Sequence, residues 1–100
     1  MSNVSIKLLD DKAIVTFRGQ LNINHISNIQ KELEELITFE NELDVVIESP
    51  ESIDITFVQM IVSMRNSCAT RGSKFSVHGE FSDDLTSLLK NVGLYDFLNN

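Results

Sequence analysis

Hydrophobic and polar residues alternate along the chain with two periods, one typical of strands and one typical of helices. Val4, Ile6 and Leu8 alternate with polar residues, and the run AIVTF (residues 13–17) follows after a polar turn at Asp10-Asp11-Lys12. Period-two alternation on both sides of a short polar turn predicts an antiparallel β-hairpin.

Helical spacing replaces this alternation between Asn24 and about Phe39. The apolar residues there recur every three or four positions, which predicts a helix with one buried face. They are Ile26, Ile29, Leu33, Leu36 and Ile37. The run LDVVI, from Leu43 to Ile47, then predicts a strand covered on both faces, because nearly continuous apolar runs are typical of strands that lie between layers of helices.

The second half of the chain predicts a helix, a strand and another helix. The second helix starts near Thr56 and ends at Gly72, since glycine readily takes the left-handed conformation that terminates a helix. Alternation from Lys74 to His78 predicts a strand, and Ser82 is a suitable N-cap for the third helix. The apolar stripe of that helix consists of Leu85, Leu88, Leu89 and Val92. A last turn packed on the core is predicted from Tyr95, Phe97 and Leu98.

The predicted order of elements is therefore β-β-α-β-α-β-α, with an extra turn of helix at the end. A chain of 100 residues suits one hydrophobic core, and no linker or low-complexity tract divides it, so residues 1–100 are predicted to be a single domain. Strands that alternate with helices predict an α/β fold, in which helices form a layer on a mixed sheet.

Composition and charge narrow the class of protein. The chain is 42% hydrophobic and 23% charged, which is typical of globular proteins. No apolar run approaches the ~20 residues of a membrane span, and the start MSNVSIKLLD lacks the basic-then-apolar order of a signal peptide, so we expect a cytoplasmic protein without membrane insertion. Fifteen acidic against eight basic residues give a net charge of -7, which disfavours nucleic acid as a partner.

Candidate residues for catalysis or metal binding are sparse. The lone Cys68 provides neither a disulfide nor a cysteine zinc site and is expected in the core. The two histidines, His25 and His78, have no recognisable ligand spacing, and the sequence contains no nucleophile elbow, P-loop or dinucleotide-binding motif. We therefore expect no metal, no cofactor and no enzymatic activity.

Three aspartates are similar in placement to the acidic residues of a phosphoacceptor receiver domain. Asp10 and Asp11 follow the first predicted strand, and Asp54 follows the third. A receiver places a helix between its first two strands, whereas Asp10 and Asp11 occupy a hairpin turn. The connectivity therefore disfavours a receiver.

The segment SIDITFVQM (residues 52–60) leads into the second helix and carries the remaining candidate site. A helix N-terminus has free backbone N–H groups, which suit a capping hydroxyl or carboxylate and also a phosphate. Either Asp54 or Thr56 suits the N-cap. If capping is the only role of Asp54, Asp54→Asn should keep most of the stability, because Asn caps a helix nearly as well as Asp. A phosphorylated hydroxyl at this point would add up to about two negative charges beside Asp54.

Several segments together resemble the STAS domain, the fold of bacterial anti-sigma-factor antagonists. They are Gly19-x-Leu21 after the second strand, the run ESIDITFVQMIVSM, the helix end Ala69-Thr70-Arg71-Gly72 and the closing Val92-Gly93-Leu94. The resemblance covers essentially the whole chain. It implies a four- to five-stranded mixed sheet backed by helices on one side, and a loop before the second helix that meets a partner protein. It further implies that a partner kinase phosphorylates a hydroxyl in that loop.

The loop of that family matches this chain residue by residue. Asp54 matches the motif's Asp, Ile55 stands where the first hydroxyl would be, Thr56 matches the second hydroxyl and Phe57 replaces a Gly. Gln59-Met60 is similar to a Gln-Leu pair in a subgroup associated with chemotaxis-like and lipid-transport operons. The resemblance thus implies Thr56 as the candidate phosphoacceptor. The implied partner-binding residues are Ser52, Asp54, Ile55, Thr56, Phe57 and Met60.

Two functions remain open at this point. One is a regulatory protein-binding module that phosphorylation of Thr56 switches, with an anti-sigma factor, a serine/threonine kinase or another signalling or transporter component as its partner. The alternative is a docking subunit that binds constitutively within a chemotaxis-like or lipid-transport complex. Met60 is predicted to face outward in both cases, because the second helix has more apolar positions than one buried stripe requires.

Overall fold

The computed structural model describes residues 3–36 and 42–98 as an α/β fold in a single domain. The strands are β1 (Val4–Leu8), β2 (Lys12–Phe17), β3 (Gln20–Leu21), β4 (Glu42–Glu48), β5 (Ser52–Ile53) and β6 (Phe75–Glu80). The helices are α1 (Ile26–Leu36), α2 (Ile55–Arg71), α3 (Asp83–Asn91) and α4 (Tyr95–Leu98). This order confirms the predicted fold class. The predicted extension of the first helix to Phe39 lies outside the described residues.

A four-stranded mixed sheet forms the frame, in the order β1-β2-β4-β6. β1 pairs antiparallel with β2, as the hairpin pattern predicts, and the register places Val4 opposite Phe17. β4 runs parallel to β2 on one side and to β6 on the other. The two-residue strands β3 and β5 pair in parallel as a separate small sheet, which the sequence pattern did not predict.

The core lies between one face of the four-stranded sheet and the helices. On the inner face of the two central strands, β2 contributes Ala13, Val15 and Phe17, and β4 contributes Leu43, Val45 and Ile47, all of them buried. The helices contribute residues such as Ile29, Ile61 and Leu98 to the same core cluster. Every one of these positions is apolar, so the core is held by burial of hydrocarbon surface.

The opposite face of the central strand β4 is not covered in the way the sequence predicted. Asp44 and Val46 alternate with the buried residues and are only half-buried, and the cluster of buried residues includes neither of them. The prediction that helices cover both faces of this strand is therefore wrong. The run LDVVI suggested two covered faces because Val46 is apolar. In the structure Val46 lies half-exposed on the outer face.

Both ends of α2 have caps that the sequence indicates. Asp54 is the N-cap, and Gly72 ends the helix in the left-handed conformation with a φ of 73°. Cys68 is fully buried on this helix, where burial raises the pKa of its thiol, as expected of a core residue. None of the helices within the described ranges is long and apolar enough to cross a bilayer.

Paired substitutions on β4 test which face is buried. Val45→Asp should destabilise the fold by several kcal/mol, because it places an unpaired charge in the core. Val46→Asp should cost much less, since the new carboxylate reaches water on the outer face. Urea unfolding of both variants in dilute solution measures the difference, and equal losses would contradict the one-sided burial of the sheet.

Candidate functional site

The candidate site is built where the β3–α1 connection meets the segment that leads into α2. The register of the small sheet places Gln20 beside Ser52 and Leu21 beside Ile53. Asn22 then donates a hydrogen bond from Nδ2 to Oγ of Ser52, over 2.9 Å. These contacts hold two loops side by side, although 30 residues of sequence separate Asn22 from Ser52.

The carboxylate of Asp54 joins these two loops to the start of α2. Its Oδ1 accepts the backbone N–H of Thr56 at 3.0 Å and that of Phe57 at 3.3 Å, and it also accepts the hydroxyl of Thr56. Its Oδ2 accepts the backbone N–H of Ile23 at 2.8 Å, across the gap between the loops. Both oxygens are therefore engaged, and we call this arrangement the Asp54 clamp.

The two-sided clamp changes what is expected of an amide at position 54. Asn has a single acceptor oxygen, and its NH2 group would face an N–H donor on the other side. It can retain the helix cap or the bond to Ile23 but not both. The expectation that Asn replaces Asp54 with little loss therefore does not follow from the structure.

The hydrogen bonds to Asp54 also lower the pKa of its carboxyl group. Burial acts to raise the pKa of this carboxyl, but bonds from the Thr56 side chain and from the N–H groups of Ile23, Phe57 and Thr56 outweigh that effect and hold the pKa below its usual value of 3.8. Because the pKa in the folded protein is below that in the unfolded chain, the ionised group stabilises the fold above pH 3.8. The stabilisation is lost as the pH falls through the folded-state pKa.

Thr56, the candidate phosphoacceptor, lies in the first turn of α2 and is half-buried. Its hydroxyl donates to Oδ1 of Asp54. A phosphate on that oxygen would remove the donated proton and place two anions next to each other. Modification of Thr56 would therefore open the helix-cap side of the clamp.

Phe57 and Met60 differ from the other predicted site residues because both are buried. Phe57 is 0% exposed and packs edge-on against Phe17, with ring centroids 5.1 Å apart. Met60 is only 4% exposed, so the prediction that it faces outward is wrong. The physical reason is that α2 packs on α1 as well as on the sheet, and Met60 lies with Leu33 at the base of the groove between the two helices.

An exposed apolar surface adjoins the clamp. Ile55, Leu88 and Val92 are 56%, 54% and 58% exposed, and they surround a depression of about 420 Å³ between the start of α2 and α3. We call these three residues the α2–α3 apolar surface. Ile53, Asp54, Leu89 and Leu94 complete the lining of the depression. Such exposed clusters of large aliphatic side chains are typical of sites that bind a partner.

Sequence reasoning missed two of the three residues of this surface. Leu88 and Val92 were predicted as part of the buried stripe of α3, but only Leu89 of that helix is buried. Leu88 and Val92 are one turn apart on the outward side of α3. The adjacent pair Leu88-Leu89 is a usable signal, because neighbouring residues on a helix point about 100° apart and a narrow buried face holds only one of them well.

The two histidines lie outside the α2–α3 apolar surface. His25 contacts Oδ1 of Asn22 through Nδ1 at 3.1 Å, at the turn before α1. His78 lies on the outer face of the sheet, 3.9 Å from Asp44. Within residues 3–36 and 42–98, no group of three or more His, Cys, Asp or Glu side chains is arranged to hold a metal ion.

Comparisons with known proteins identify no family for this chain. No protein-family model and no curated protein matches it. The resemblance to STAS domains therefore rests on the segments quoted above.

The Asp54 clamp predicts a pH-dependent difference between the parent protein and Asp54→Asn. At pH 7 the variant should be less stable by about 1–2 kcal/mol, because one of the two sides of the clamp loses its acceptor. The difference should shrink as the pH falls below 3.8, where the parent carboxyl takes up a proton and resembles the amide. Urea unfolding at a series of pH values measures both quantities.

Asp10→Asn is the matched control, because Asp10 is exposed in the hairpin turn. This variant should follow the parent at every pH. A constant difference between parent and Asp54→Asn at all pH values would contradict the role of the ionised carboxylate.

Proposed function

We propose that this chain is a protein-binding module of bacterial regulatory or transport machinery, acting in the cytoplasm and without catalysis of its own. Its partner surface is the α2–α3 apolar surface together with the adjoining loop residues Ser52, Asp54 and Thr56. The observation that carries the proposal is the exposure of Ile55, Leu88 and Val92 around one depression.

The energetics of this surface favour a protein partner. Full burial of an aliphatic side chain contributes about 1.5–3 kcal/mol, and these three side chains leave roughly half of their area in water. The Asp54 clamp fixes the backbone on both sides of Ile55, so that little order is lost at this residue on binding. The resemblance to STAS domains supports the same end of α2 as the place of contact.

Constitutive binding is the mode that the site supports best. The position of the first hydroxyl is occupied by Ile55, which is exposed and belongs to the apolar surface. Thr56 uses its hydroxyl within the clamp. In this mode the protein is a docking subunit of a signalling or transporter complex.

A switched mode has one observation in its favour. The hydrogen bond from Thr56 to Asp54 means that a phosphate at Thr56 would disrupt the clamp directly beneath Ile55. In this mode a serine/threonine kinase modifies Thr56 and releases the partner, which is an anti-sigma factor or the kinase itself.

Affinity capture with matched variants tests the surface. Leu88→Asp should fold as stably as the parent, because Leu88 is exposed. The amount of partner that this variant retains should be at least about tenfold lower, because it places a charge in an apolar contact. Leu8→Asp is the control, since Leu8 is a comparably exposed leucine on the β1–β2 hairpin. Quantitative mass spectrometry of proteins retained from an extract of the source cells measures the ratio.

The same experiment separates the two modes. If binding is switched, ATP should release the partner from the captured complex, and Thr56→Val, which has no hydroxyl to modify, should prevent that release; if binding is constitutive, ATP should have no effect. In the switched mode, incubation with the captured kinase and ATP gives a mass gain at Thr56. If the parent and Leu88→Asp retain the same proteins in the same amounts, the proposed partner surface is wrong.

A further inference from the structure

The α2–α3 apolar surface has an acidic border, which consists of Asp83 and Asp84 in the first turn of α3. Both residues are exposed. Asp84 precedes Leu88 by four residues and Leu88 precedes Val92 by four, so these side chains follow one another along one side of the helix, about 5–6 Å apart from one turn to the next. A segment that covers Leu88 therefore also comes close to Asp84.

The described part of the chain leaves most of this negative charge without compensation. Neither Asp83 nor Asp84 forms an ion pair within residues 3–36 and 42–98. The start of a helix carries a partial charge of roughly +0.5, which offsets only part of two carboxylates. Asp54 differs, because N–H groups on two sides donate to its carboxylate. The acidic border is thus the main source of net charge beside the apolar surface.

Basic residues of the two neighbouring helices are turned towards aromatic rings instead. Lys90 follows Leu88 by two residues, which places it on the opposite side of α3, and its Nζ lies 4.9 Å from the centre of the Tyr95 ring. Arg65 of α2 lies over the ring of Phe97, 4.6 Å from its centre. None of the residues that line the depression is basic. The surface therefore combines exposed apolar side chains with negative charge.

This combination points to the chemistry of the occupant. We infer, on the basis of the partner surface proposed above, that the surface binds an amphipathic helix of the partner with lysine or arginine residues beside its apolar face. Leu88 and Val92 form a ridge with the spacing of one helical turn, which suits apolar anchors four residues apart on another helix. Basic residues beside those anchors would lie within the screening length of ~8 Å from the acidic border.

The same charge disfavours two other occupants of an exposed apolar surface. A second copy of this chain carries the same acidic border and a net charge of -7, so the two copies repel one another. The surface of an anionic membrane would be repelled for the same reason. A basic amphipathic helix is the occupant for which both the apolar contact and the electrostatic interaction are favourable.

Fluorescence anisotropy with two labelled model peptides tests this inference. Both peptides are amphipathic helices with leucine on the apolar face, and the polar positions are lysine in one peptide and glutamate in the other. The parent should bind the lysine peptide at least about tenfold more tightly than the glutamate peptide. Leu88→Gln should weaken binding of the lysine peptide at least about fivefold, because it removes apolar contact without a change of charge.

Charge reversal locates the electrostatic contribution. The double variant Asp83→Lys, Asp84→Lys should weaken binding of the lysine peptide at least about tenfold. The matched control is Glu34→Lys, Glu35→Lys, which makes the same change of net charge at exposed positions of α1 and should leave the affinity within about twofold in ~0.15 M salt, where distant charges are screened. If the lysine variant of the border fails to fold, Asp83→Asn, Asp84→Asn should weaken binding at least about threefold.

Equal affinity of the parent for the two peptides would overturn the inference, and so would equal losses from the border variant and its α1 control. Binding of the parent to phosphatidylglycerol vesicles that Leu88→Gln abolishes would overturn it in favour of a membrane. A dimer in sedimentation equilibrium that Leu88→Gln abolishes would overturn it in favour of a second copy.

The capture experiment separates this inference from the proposed function. A partner that is lost with Leu88→Asp but retained by Asp83→Lys, Asp84→Lys would leave the proposed surface in place and show that its basic occupant is wrong. If both variants retain the same proteins as the parent, the proposed function itself fails. Loss of the same partner with both variants, together with its retention by the α1 control, is the expected result.

Discussion

The hydrogen bonds to the carboxylate of Asp54 are the interaction on which the structure around the start of α2 depends. Without it, the first N–H groups of α2 and the N–H of Ile23 would lack these protein acceptors, since the backbone of a helix start cannot satisfy itself. One residue thereby fixes the start of α2 and the β3–α1 connection together. Ile55, which lies between Asp54 and Thr56, is positioned by the same hydrogen bonds, and a change at Thr56 acts on it through Asp54.

The two surfaces of the molecule follow from the one-sided layering of the fold. All described helices pack on one face of the sheet, so the outer face remains accessible, whereas the α2–α3 apolar surface lies on the helical side. The chemistry of the two differs. Aliphatic side chains surround a depression on the helical side, whereas charged residues alternate with Ile14 and Val46 on the outer face of the sheet.

Much of the fold is predictable from the sequence because the deciding signals are local. The hairpin follows from period-two alternation, the end of α2 from Gly72, and the starts of α2 and α3 from Asp54 and Ser82. What depends on tertiary packing is not predictable in this way. Met60 is buried because α1 lies beside α2, Val46 is half-exposed because none of the described helices lies on that face, and Leu88 is exposed because only Leu89 of α3 packs into the core. The pairing of β3 with β5 joins residues too far apart in sequence for any local pattern.

Amide hydrogen exchange at Ile23 tests the Asp54 clamp most directly. The side chain of Ile23 is exposed, and its N–H is held only by Oδ2 of Asp54 among the contacts of the described residues. We expect slow exchange of this amide in the parent protein. Exchange should be at least about tenfold faster in Asp54→Ala, which has no acceptor at this position, and this corresponds to a loss of about 1.4 kcal/mol of protection. Fast exchange in the parent, or the same rate in both proteins, would contradict the claim that this carboxylate holds the two loops together.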